Sequence, residues 1–173
     1  MVSEVGLPVL SRMLELNDIQ SGVLEIDYPS LLNMPAPRLR AYPPETVVAE
    51  KFQALVALGM LNSRMKDFFD LWAISETFAF DGSILADAIA ATFDRRHTTI
   101  PVATPVALTP AFAEDAAKRA QWQGFLRRTA LSIAPGSFVE MQTKVSAFVL
   151  PPVQSLVVDK PLECKWVVGG PWK

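Results

Sequence analysis

The chain has 173 residues, a formal charge of −2 and hydrophobic side chains at half of its positions. That is enough apolar material for one good core and too much for a disordered chain, and the small charge sets up no global field toward nucleic acid or acidic lipid. No apolar run reaches the ~18 residues of a membrane span, and a single cysteine, Cys164, excludes an internal disulfide and a multi-thiolate zinc site.

Residues 1–22 form an atypical segment. Val9, Leu10, Met13 and Leu14 fall at helical spacing between Pro8 and Leu16. Glu4 and the lack of a long apolar centre do not fit a secretory signal, so the expected compartment is the cytoplasm. Residues 23–44 read as a proline-rich connector with a short strand. Val23 to Tyr28 alternates apolar and acidic residues, the pattern of a half-buried strand. The five prolines from Pro29 to Pro44 forbid a continuous helix or a central strand. Leu31, Leu32, Met34 and Leu39 would pin this connector to the surface.

Residues 45–173 read as a helical domain. The predicted fold class is therefore mainly α: a helical bundle with a short extended or strand-like N-terminal arm. Pro43-Pro44-Glu45 fits a helix start. Val48, Phe52, Leu55, Val56 and Met60 make one apolar stripe, and Thr46, Glu50, Gln53 and Ala57 make the opposite, wetter face. Lys51 belongs to neither. It interrupts the otherwise apolar row Val47, Ala54, Leu58, so it either snorkels to water along its stem or points into a site that wants an ammonium.

A tight turn at 59–63 leads into a second helix capped by Asn62 or Ser63 and running to about Phe78. Met65, Phe69 and Trp72 make its packing face. The row Arg64, Asp67, Leu71, Ile74, Phe78 begins charged and turns apolar, which puts Asp67 at the margin of the core. Lys66 and Asp70 form an i, i+4 pair on a polar row. Such a run is either a salt-bridged helix surface or a site gathered at one helix end.

Asp81-Gly82-Ser83 opens a third helix with Leu85, Ala88, Ile89, Thr92 and Phe93 inward, ending at Arg95-Arg96. A proline-punctuated strap follows, and Thr109-Pro110 starts the next helix, with Trp122, Phe125 and Leu126 packed near its end. Ser137 to Glu140 matches a capping box and opens a helix expected to stop at Pro151-Pro152. Trp166 and Trp172 flank Gly169-Gly170 in a tail read as a lid over the bundle. The basic clusters Arg38/Arg40, Arg95/Arg96 and Lys118/Arg119/Arg127/Arg128 read as solvated helix ends and linkers.

A lysine and two carboxylates on adjacent helices suit phosphate chemistry: the ammonium neutralises phosphate oxygens, and carboxylates hold magnesium or take a proton from an attacking hydroxyl. Glu25-x-Asp27 also puts two acids on one strand face, but no phosphate-holding turn precedes it, and no metal ligands are assigned. The stretch AYPPETVVAEKFQALVALGMLNSRMKDFFDLW, with its helix-borne lysine followed by RxKDxxD, resembles the AbiEii/AbiGii toxin family of abortive-infection and toxin–antitoxin systems. The likeness extends over about residues 25–173.

That resemblance implies a nucleotidyltransferase that moves a nucleotide from an NTP, with Mg2+, onto an acceptor such as tRNA, and a cognate antitoxin as partner. It implies Lys51, Arg64 and Lys66 as nucleotide- and phosphate-binding residues, and Asp67 and Asp70 as catalytic residues. Members of the family begin with an α/β region bearing a Gly-Ser turn and a DxD pair. The present sequence lacks both, so the resemblance implies a truncated form, inactive alone. The alternative is a non-catalytic helical module that binds an antitoxin, an RNA or an intact toxin copy.

Overall fold

The computed structural model describes residues 24–27, 38–129 and 136–173. The helix expected near Pro8 and the anchoring residues Leu31, Leu32 and Met34 lie outside them. Among the described residues the fold is mainly α, with six helices and two small two-stranded sheets. Strand β1 (Leu24–Asp27) pairs antiparallel with β2 (Arg38–Ala41), in a register that sets Glu25 opposite Arg40 and Asp27 opposite Arg38. The prolines of the connector leave room for β2 because Pro37 and Pro43 flank it rather than interrupt it.

Helix α1 (Pro44–Leu58) begins on its proline, and a one-turn 3-10 helix (Gly59–Leu61) leads toward α2 (Met65–Thr77). Helix α3 (Gly82–Arg95) is capped by Asp81, whose carboxylate accepts from the backbone N–H groups of Ser83 and Ile84. The expected helix after Thr109 is split. A short α4 (Pro110–Glu114) ends at Asp115, and α5 (Ala116–Thr129) starts anew, with the Asp115 carboxylate accepting from the Lys118 N–H at 3.0 Å.

Helix α6 (Phe138–Val157) has the complete Ser137/Glu140 capping box, but it runs through Pro151 and Pro152 instead of stopping there. Pro152 has no N–H for the Phe148 carbonyl four residues back. The indole N–H of Trp172 donates to that carbonyl at 3.1 Å and replaces the missing bond.

Helix α1 packs on α2 and α3, and α6 packs on the same two from the far side, closing a four-helix ring. Phe52, Leu55, Phe68, Leu71, Leu85 and Phe148 fill its centre with no measurable exposure. Phe68 is thus more deeply buried than the Met65, Phe69 and Trp72 face expected of α2. Phe68 meets Phe112 of α4 and Phe138 of α6 at centroid distances of 5.6 and 5.3 Å, which ties the second layer to the ring. The tail acts as the expected lid. Strand β4 (Lys165–Trp166) pairs with β3 (Phe80–Asp81), and the buried Trp166 packs on Phe148 while its indole donates to Ser75 O at 2.8 Å.

Candidate functional site

Helices α1 and α2 cross so that Lys51 faces the start of α2. Its Nζ lies 3.1 Å from Asp67 Oδ1 and 2.6 Å from Asp70 Oδ2. Lys66 reaches the same Asp70 oxygen at 2.6 Å, and Arg64 Nη1 stands 3.9 Å from Asp67 Oδ2. All five sequence-predicted residues therefore meet in one cluster. Lys51 does not snorkel: it is 12% exposed, between carboxylates that are 14% and 3% exposed.

The depth of the cluster follows from the periodicity of α2. Asp67 and Asp70 are three residues apart, so they share the side turned toward α1. Lys66, at the outer edge, is 41% exposed, and Arg64 is 65% exposed. The cluster thus has a buried ammonium–dicarboxylate floor and a basic rim. Burial works against the Lys51 ammonium, but the charges of Asp70 and Asp67 and their hydrogen bonds outweigh it and hold the group above the ordinary lysine value. One oxygen, Asp67 Oδ2, is buried without a hydrogen-bond partner. Chemically, the floor offers a fixed positive charge, and Oδ2 offers an open acceptor.

Three expectations require correction. Glu50 does not lie on a wet face. It is 7% exposed and accepts from Arg95 and from Arg96, the latter at 2.7 Å, because α3 covers that side of α1. Arg95 and Arg96, exposed at the end of α3 as expected, also tie that helix to α1 through this carboxylate. Lys118 is not solvated: it is 6% exposed, and its Nζ donates to Asn62 O at 2.8 Å. The N-cap of α2 is Arg64, with no side-chain cap; Asn62 acts from outside the helix by accepting the Arg64 N–H on its Oδ1 at 2.7 Å.

Residues 14–144 match the model of a protein family described as nucleotidyl transferase AbiEii toxin, Type IV TA system. The match begins ahead of the stretch that carried the resemblance, takes in both charged helices, and stops inside α6, short of the tryptophan tail. No curated protein and no solved structure matches the chain.

Proposed function

Because the chain belongs to the AbiEii nucleotidyltransferase toxin family of type IV toxin–antitoxin systems, we propose that it transfers a nucleotide from an NTP onto an acceptor such as a tRNA end, in the cytoplasm, under the control of a cognate antitoxin. The observation that supports this most is the convergence of Lys51 with Asp67 and Asp70 from two helices. A lysine held in place by two acids is pre-organised to meet phosphate oxygens, with no reorganisation left for the moment of reaction.

In this reading Lys51 contacts the triphosphate, and Arg64 and Lys66 on the rim neutralise the phosphates or the acceptor backbone. The acceptor hydroxyl attacks the α-phosphorus, the α–β anhydride bond breaks, and pyrophosphate leaves. Asp67 takes the hydroxyl proton on Oδ2, the oxygen without a hydrogen-bond partner. Asp70 holds Lys51 and Lys66 in register.

Magnesium and an NTP are the cofactors that such chemistry implies. Magnesium wants about six oxygens in near-octahedral array. Among the described residues no group of three or more His, Cys, Asp or Glu could hold a metal, and Asp67 and Asp70 are already engaged by ammonium groups. This cluster does not fit a magnesium cage.

One observation favours a second reading. Lys51 already spends two of its three N–H donors on carboxylates, as in a clamp that only joins α1 to α2. The chain would then be a helical module that binds an antitoxin, an RNA or an intact toxin copy. Incubation with magnesium, each labelled NTP in turn, and total tRNA separates the two. Transfer of label that Asp67→Ala abolishes supports the enzyme. No transfer, together with no NTP-dependent thermal shift, removes it in favour of the binding module.

A further inference from the structure

Lys118, on α5, is a buried cation that reaches the turn before α2. Among the described residues no carboxylate pairs with it. Its ammonium is held by the Asn62 carbonyl at 2.8 Å and by the ring of Phe112, whose centroid lies 5.0 Å away. An ammonium removed from water is retained only where fixed acceptors replace its hydration. A methionine-like side chain would fill the same space without that cost, so plain core filling does not account for the charge.

The residue that Lys118 holds also fixes the start of α2. Asn62 has no measurable exposure, and its own N–H donates to Gly59 O at 3.1 Å. Its Oδ1 receives the Arg64 N–H at 2.7 Å, and the Arg64 carbonyl in turn receives the N–H of Asp67 at 3.0 Å. Three short hydrogen bonds therefore run from Lys118 to the backbone of Asp67. Asn62 Nδ2 is buried without a hydrogen-bond partner, so the polar anchors of this residue are the Lys118 ammonium on its carbonyl and the Arg64 N–H on its Oδ1.

We infer that Lys118 is a positioning residue of the Lys51–Asp67–Asp70 cluster: through Asn62 it sets the residue at which α2 begins, and with it the place of both carboxylates. A start slipped by one residue would shift Asp67 by about 1.5 Å and turn it by roughly 100° about the axis. The inference rests on the nucleotide-site reading only for its consequence in binding; the coupling between Lys118 and the cluster stands without it.

Two measurements on the full chain test this. The first is a double-mutant cycle on the urea unfolding constant with Lys118→Met and Lys51→Met. Sites without shared partners add to within about twofold in that constant, so a coupling of roughly threefold or more is expected, and additivity overturns the inference. Should Lys118→Met fail to fold, Lys118→Gln takes its place in the cycle. The second is the Kd for magnesium-ATP. Lys118→Met is expected to raise it about tenfold, one decade of affinity, with Lys118→Arg restoring most of the loss. An unchanged Kd in a folded Lys118→Met also overturns it. A wild-type chain that binds no ATP refutes the nucleotide reading instead, and the cycle then decides this inference alone.

Discussion

Replacing Lys51 with methionine keeps the stem and removes the charge, and the structure sets the size of the effect. Lys51 is 12% exposed and Asp70 is 3% exposed, so Lys51→Met strands carboxylates that water reaches poorly. Removing one partner of a buried pair costs about 3–5 kcal/mol. Asp70 keeps Lys66 at 2.6 Å, and Asp67 is 14% exposed, which places the expected loss near the lower end, about 3 kcal/mol. For a chain of this length each kcal/mol moves Tm by about 2–4 °C, so the midpoint should fall by roughly 6–12 °C. Lys66→Met is the control. That lysine is 41% exposed, and its removal should cost under about 1 kcal/mol. Adding Asp67→Leu to Lys51→Met should recover part of the loss, because the stranded charge leaves with its partner. Calorimetry and urea titration read all of these. A Lys51→Met chain within about 1 kcal/mol of wild type, or no more damaged than Lys66→Met, would show that the pair behaves as a surface contact.

Two further outcomes are expected. Trp172→Phe keeps a ring against Phe148 but leaves the Phe148 carbonyl without a donor, since Pro152 has no N–H; it should cost about 1–3 kcal/mol in urea unfolding, and a neutral result would mean that water serves that carbonyl equally well. Stability should be flat across neutral pH as far as Lys51 and Asp81 are concerned. The raised Lys51 value means that its contribution is complete below the ordinary 10.5 and fades as pH climbs through the raised value. Hydrogen bonds from the Ser83 hydroxyl and the Ile84 N–H lower the Asp81 value, so its capping is complete above the ordinary 3.8 and fades as pH falls through the lowered value. A neutral-pH stability transition that disappears in Lys51→Met would contradict this.

The helical ring and the charged cluster were legible because periodicity exposes conflict. Lys51 stood out as a charge on an apolar row, and Asp67 as a charge at the head of one. The same argument applied to α5 would have found Lys118, which lies four and seven residues before the buried Trp122 and Phe125. Its place in a run of basic residues hides its position on the helix. Glu50 was misplaced for a different reason. A single helix shows which face is polar, not whether a neighbour supplies two arginines to that face. The passage of α6 through Pro152 is illegible locally, because the donor that replaces the bond lost there comes from a tryptophan twenty residues further along (172 − 152).

Glu50 and Lys51 are adjacent in sequence and therefore point about 100° apart around α1. The acid meets the arginines of α3, and the base meets the aspartates of α2. A misassembled ring with α2 and α3 exchanged would bury Glu50 against Asp67 and Asp70, and Lys51 against Arg95 and Arg96. Greasy faces alone distinguish such near mirror-order packings poorly, whereas four like-charge encounters would reject this one at once. The dipeptide thus acts as an address label: two neighbouring letters tell the chain on which side of its first helix each partner belongs.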